Sequence, residues 1–148
     1  MSNANALSFA TTLLVRDTCL CLHLQRAARA VARRFDEALR PLGLTNGQFS
    51  LLMSLNRPAP PTIGSVASLL AMDRTTLTAA LKPLERRGLL ELRVDAADRR
   101  SRRLVLTPEG RELLAEALPL WQSEHRIVDG LLGEADPDRL RAELRGLS

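Results

Sequence analysis

The stretch from Thr62 to Thr107 constrains this chain most, because its hydrophobic pattern changes period in a fixed order. Asp73 offers a carboxylate to the free N–H groups of a helix's first turn. Leu77, Ala80, Leu81 and Leu84 then recur at helical spacing and define one buried stripe. Gly88 supplies a helix stop. Beyond it, Leu90, Leu92 and Val94 alternate with Glu91 and Arg93 as a half-buried strand does, and Arg103 to Leu106 repeats the alternation. A short helix from Thr62, a turn, a second helix and a two-stranded hairpin therefore follow one another. The expected fold class is mainly α with one small β-hairpin.

The face of the second helix opposite its leucines is Thr75, Thr78, Ala79, Lys82 and Arg86. Short and hydroxylated side chains let a backbone approach base edges in a major groove, and cations meet phosphates. Arg74, Thr75 and Thr76 stand at the N-terminal end, the end that reaches base edges in helix-turn-helix proteins. The same face also fits an amphipathic helix with a merely solvated side, so its context decides. Between the two strands runs Asp95-Ala96-Ala97-Asp98-Arg99-Arg100-Ser101-Arg102, too polar to pack and crowded with guanidinium groups. A charged tip serves many hairpins simply as a soluble turn. Directly after such a helix, arginine at a protruding tip matches the negative potential of a narrow minor groove. The order reads as a winged helix-turn-helix, which binds DNA.

Four spaced motifs carry a resemblance. They are Leu42-Gly43-Leu44-Thr45-Asn46-Gly47-Gln48-Phe49, Asp73-Arg74-Thr75-Thr76-Leu77, Leu84-Glu85-Arg86-Arg87-Gly88-Leu89, and Asp98-Arg99-Arg100 with Leu104-Val105-Leu106-Thr107-Pro108-Glu109-Gly110. In this order they resemble the multiple antibiotic resistance regulator (MarR) family over nearly the whole chain. The resemblance implies a homodimer that usually represses transcription and releases its operator when a small molecule or an oxidant arrives. Family wings often read D-x-R-D-x-R, and Ala97 stands where the first arginine would be. Arg100 matches the position that enters the minor groove in relatives, with Asp98 as its orienting partner. The expected DNA-binding set is thus Arg74, Thr75, Thr76 and Thr78 toward bases and Lys82 and Arg86 toward phosphates. Asp98, Arg99, Arg100 and Arg102 complete it at the wing.

Composition agrees. The 148 residues read as one domain, with a lobe at 45–107 between helical dimerisation flanks at 7–44 and 108–148. Formal net charge is +4 and the sequence pI about 10.3, a balance that favours a polyanion. Lys82 is the only lysine, and arginine is the better bidentate partner for phosphate and guanine. No apolar run reaches the roughly 18 residues of a spanning helix, and no charged-then-apolar leader opens the chain, so a cytoplasmic protein is expected. Met1 to Ala6 reads as a polar tail or an expression remnant.

The flanks read as long helices. Thr18 to Leu39 contains no Gly or Pro, and Pro41 and Gly43 end it. Thr107 caps another helix with Pro108 in its first turn, running to about Leu132, with a kink expected at Pro119 and a bend near Pro83 in the preceding lobe. A last short helix is expected from about Pro137 to Leu144. Leucine-rich terminal helices suggest two-fold association, and a two-fold pair of recognition helices demands a pseudo-palindromic operator.

Cys19 and Cys21 open the first long helix and are the only cysteines, which argues against a disulfide framework in a cytoplasmic protein. Within one continuous helix they point to different sides, so a bridge between them is not expected. By resemblance, Cys21 falls where relatives that sense organic hydroperoxides keep a reactive cysteine. Those relatives hold the thiolate with tyrosines, and this chain has none; Gln25, Phe35 and Asn46 stand near the corresponding places. Buried cysteine also serves simply as a small hydrophobe, so sensing and packing both remain open. Cys19 and His23 share a helix face but Cys21 does not, so no metal site and no cofactor are expected. By resemblance, a small ligand would sit between the first helix, the lobe and the long C-terminal helix, near His23, Arg26, Phe49, Met53 and Trp121; an internal Phe or Met is ordinarily core. No phosphate-cradling loop, nucleophile elbow or metalloprotease motif appears, so no enzyme is expected. A winged-helix module for protein association alone is the remaining alternative, and it would lack the salt-sensitive DNA binding of a regulator.

Overall fold

The computed structural model describes residues 7–148. The elements run α1 Phe9–Thr18, α2 Leu20–Leu39, a 3-10 turn at Arg40–Leu42, α3 Asn46–Ser54, α4 Ile63–Leu69, α5 Arg74–Arg86, β1 Leu90–Val94, β2 Arg102–Leu106, α6 Pro108–Gly130 and α7 Pro137–Arg145. The expectation for Met1 to Ala6 lies outside the described residues. No helix among the described residues is long and apolar enough to cross a membrane.

The core lies where the lobe meets the inner ends of α2 and α6. Leu39, Leu52, Val66, Leu77, Leu81, Leu84, Leu90 and Leu104 are the largest fully buried side chains. The stripe on α5 behaves as its spacing dictates: Leu77, Leu81 and Leu84 are buried and Ala80 is half-buried. Strands β1 and β2 pair antiparallel from Leu90 opposite Leu106 to Val94 opposite Arg102, so the second strand begins one residue earlier than the alternation alone suggests. The loop before α4 adds a further rung: Thr62 bridges Arg103, and the Leu104 N–H donates to the Pro61 carbonyl at 2.9 Å.

Caps fix the helix ends. Asp73 accepts from the Thr76 N–H at 2.7 Å, Thr62 from Ser65, and Thr107 from Gly110. Thr45 and Gln48 form a reciprocal capping box at the start of α3. Helix α5 ends in the arrangement expected of Gly88, whose φ is 72°: its N–H donates to Glu85 and that of Leu89 to Leu84. The same bonding closes α4, with Ala71 N–H to Ser68 and Met72 N–H to Ala67. Here the left-handed position is held by Ala71 at φ 52°, the one non-glycine residue with positive φ among those described.

One expectation changes. The helix expected from Thr18 to Leu39 is broken at Cys19, which adopts an extended ψ of 107° and separates α1 from α2. Two side chains next to the break bond locally to the backbone: the Thr18 hydroxyl donates to the Leu14 carbonyl at 2.7 Å, and His23 Nδ1 lies 2.7 Å from the Cys19 carbonyl oxygen. The two thiols therefore do not share a continuous helix, and the periodicity that separated them does not apply across the break. Pro83 and Pro119 both lie inside continuous helices, α5 and α6. The carbonyls each proline leaves without a donor belong to Ala79 and Ala115, both exposed, where water can serve them.

Candidate nucleic-acid interface

Helix α5 presents Arg74, Thr75, Thr76, Thr78, Ala79, Lys82 and Arg86 on its exposed side. The threonines are not equivalent. Thr76 donates its hydroxyl to Asp73 Oδ2 at 2.7 Å, and Thr78 donates to the Arg74 carbonyl at 2.7 Å. Both retain acceptor capacity but have their proton committed within the helix. Thr75 makes no side-chain hydrogen bond among the described residues and keeps donor and acceptor for a groove. The Thr76 N–H, and then its hydroxyl, hold the Asp73 carboxyl below the usual carboxylate range, so the cap is anionic at neutral pH. The Arg74 guanidinium lies back over α4, where a Cβ placed on Gly64 would come within 2.7 Å of its Nη2. Lys82 and Arg86 form no ion pair among the described residues.

The wing tip is shaped by two successive aspartate turns. Asp95 Oδ1 accepts from the Ala97 N–H at 3.1 Å, and Asp98 Oδ1 from the Arg100 N–H at 3.0 Å. Asp98 thus braces Arg100 through the backbone N–H, and the Arg100 guanidinium has no carboxylate partner among the described residues. Arg102 curls onto the tip, donating from Nη1 to the carbonyls of Arg99 and Ser101. Arg99 and Arg100 are exposed and have no side-chain partner among the described residues. The tip therefore offers two guanidinium groups outward and uses the third on itself.

Two residues outside the expected set tie this surface down. Arg103 donates from Nη1 to the Pro60 carbonyl at 2.9 Å and pairs through Nη2 with Asp95 Oδ2 at 3.1 Å. The strand register could have indicated the pair, because residues 95 and 103 are diagonal neighbours on one face once Asp95 stands opposite Ser101. Arg87 donates to the carbonyls of Gly43 at 2.7 Å and Leu42 at 3.3 Å, joining the end of α5 to the elbow between α2 and α3. Nothing local in the sequence signals that bond.

Of the expected effector residues, Phe49 and Trp121 meet, while His23 with Arg26, and Met53, border separate clefts. Phe49 stacks on Trp121 at a ring-centroid distance of 6.0 Å, with Phe35 at 6.4 Å on the same indole and His125 at 4.6 Å. His23 and Arg26 instead line a concavity of about 530 Å³ on α2 with Arg29 and Arg33. Met53 borders a third cleft beside Leu106, Arg111 and Leu114. Cys21 is exposed, and Gln25 Nε2 donates toward its sulfur at 3.5 Å. Cys19 is half-buried at the helix break. No group of three or more His, Cys, Asp or Glu side chains placed to hold a metal occurs among the described residues.

A capped helix with a hydroxyl and cationic face, followed by an arginine-tipped wing, defines a winged helix-turn-helix protein. The family model described as MarR family matches residues 42–101. The transcriptional repressor MprA of Escherichia coli is 33% identical over 132 residues, which cover 88% of this chain and 73% of that protein. The transcriptional regulator MosR of Mycobacterium tuberculosis, solved in complex with DNA, is 37% identical with a TM-score of 0.79, covering 87% of this chain and 92% of that one. The transcriptional repressor CouR bound to a 23-mer DNA duplex is 31% identical with a TM-score of 0.79, covering 97% and 99%. This chain belongs to the MarR family of transcriptional regulators.

Proposed function

We propose that the chain acts as a homodimer on double-stranded DNA with a pseudo-palindromic operator, as a cytoplasmic repressor without catalytic activity. The observation that carries this reading is the joint exposure of the α5 polar face and the Arg99-Arg100 tip on one rigidly capped lobe. In the proposed roles, Thr75 and Arg74 read bases with Thr76 and Thr78 as acceptors, Lys82 and Arg86 hold phosphates, and Arg99 and Arg100 serve the minor groove. Asp98 and Arg102 set the shape of the tip. Residues 45–107 form the DNA lobe, and 7–44 with 108–148 form the dimerisation region. Leu14, Val15, Ile127, Leu131 and Leu144 are exposed in those flanks, as a surface awaiting a second copy would be.

The test is fluorescence anisotropy with DNA from upstream of the chain's own gene. Affinity should fall steeply with rising salt, as counterion release requires. Arg100→Ala should weaken binding by about 1–3 kcal/mol at matched salt. Wild-type affinity in that variant removes the wing from the mechanism, and salt-independent binding favours a protein-association module.

Release would follow from an effector that binds the DNA-incompetent arrangement more tightly. A small ligand and an oxidant are the two candidate classes. The exposure of Cys21 and its contact with Gln25 favour a redox variant. There the Cys21 thiolate attacks an organic hydroperoxide, taking one oxygen as sulfenic acid and releasing the alcohol. Loss of DNA binding after one equivalent of hydroperoxide, restored by a thiol reductant and abolished by Cys21→Ser, supports this route. Unchanged binding leaves the cysteines as packing.

A further inference from the structure

The wing tip has no buried side chain between Ala96 and Arg100, so nothing within it fixes its direction. Its direction is set at its base. The Arg103 guanidinium spans three segments there: it belongs to β2, donates to the Pro60 carbonyl of the loop before α4, and pairs with Asp95, the first residue after β1. Asp95 has a side-chain exposure of only 12%, against 39% for Arg103, a shelter shared by the Arg34–Glu124 pair but not by the exposed pairs at Arg16, Arg40, Arg93 and Arg139. The Ala97 N–H, and then the Arg103 guanidinium, hold the Asp95 carboxyl below the usual carboxylate range. Backbone bonds converge on the same place, from Leu104 N–H to Pro61 and from Asp95 N–H to Ser101.

The order of the turns makes this base consequential. Asp95 shapes residues 95–97, and the next aspartate turn shapes residues 98–100. A rotation at Asp95 therefore displaces the whole second turn and the Arg100 side chain with it. We propose that Arg103 is a positioning residue for DNA binding, clamping Asp95 to the Pro60 carbonyl and thereby aiming Arg100 at the minor groove without itself contacting DNA. This rests on the reading of Arg100 as the groove contact.

A double-mutant cycle tests it. Wild type, Arg103→Met, Arg100→Ala and the double variant are titrated onto the upstream DNA at several salt concentrations, with thermal midpoints recorded for each. Arg103→Met keeps the aliphatic stem but removes the bonds, and binding should weaken roughly tenfold. The double variant should bind about as well as Arg100→Ala alone, because the aim no longer matters once the guanidinium is gone. Asp95→Asn should behave as Arg103→Met does, and serves in its place if that protein is poorly folded. The salt slope should stay at the Arg100→Ala value. Fully additive losses, unchanged affinity in Arg103→Met, or a salt slope reduced by about one from the double variant's parent overturns the proposal, the last by making Arg103 a phosphate contact. A neutral Arg100→Ala overturns the underlying reading as well, which additivity alone does not.

Discussion

The segment from Thr45 to Thr107 supplies most of the buried core, whereas the flanks on either side add only Leu39, Leu44, Leu114 and Ala117 to it and leave their far ends uncovered. Helices α3, α4 and α5 and both strands each contribute buried hydrophobics, and each of the three helices begins with a side-chain cap. Helices α1 and α7 bury nothing. The buried residues of α2 and α6, Phe35 and Leu39, and Gly110, Leu114 and Ala117, lie in the parts of those helices nearest the lobe in sequence. Among the described residues, only Leu69 and Val94 of the lobe join the large exposed hydrophobics; the others belong to the arms. In the proposed reading the lobe carries the DNA contacts and the exposed hydrophobics of the arms are covered by a second copy. Such a division lets the spacing of two lobes be set by their arms. Arg87, bonded to Leu42 and Gly43, Asp36, which accepts from the Asn46 N–H, and Arg111, which donates to Asn56, tie the lobe to its flanks, while Arg34 and Glu124, 2.7 Å apart, join α2 to α6.

The contrast can be broken from the lobe side first. Leu84 is fully buried, and Leu84→Ala should destabilise the protein by about 2–5 kcal/mol, read as a lower denaturant midpoint with DNA binding lost alongside folding. In the arms the outcome should separate. Leu14 and Leu144 are 61% and 38% exposed, so Leu14→Asp with Leu144→Asp should leave the lobe folded, while sedimentation velocity shows monomer and operator affinity drops. A variant that stays dimeric with full affinity would remove these residues from the interface. The smallest effect sharpens the account of the turn between α4 and α5. Ala71→Gly should raise stability by up to about 1 kcal/mol, because glycine adopts the left-handed conformation without the Cβ penalty. An unchanged or lowered thermal midpoint would show that Ala71 is not strained.

Much of the lobe was legible because its signals are local. The leucine period of α5, the Asp73 and Thr107 caps, the Gly88 stop and the alternation of both strands are each decided within a few residues. The break at Cys19 was not, since no glycine or proline marks it and the bonds beside it come from Thr18 and His23. The turn at Ala71 escaped for the same reason, a left-handed residue without a glycine. Within the candidate interface, residue types pointed to an exposed surface, but the committed hydroxyls of Thr76 and Thr78 and the folded-back Arg102 appear only once their acceptors are placed. Arg87 and Arg103 bond to carbonyls more than 40 positions away in sequence, a distance over which periodicity carries no information.

The most direct measurement is the stoichiometry of the complex with DNA, by sedimentation or native mass spectrometry at the salt concentration used for affinity. Two chains on one duplex, with recognition lost when the arms are disrupted, is the predicted result. One chain binding a half-site with full affinity would contradict a regulator whose lobes depend on their arms.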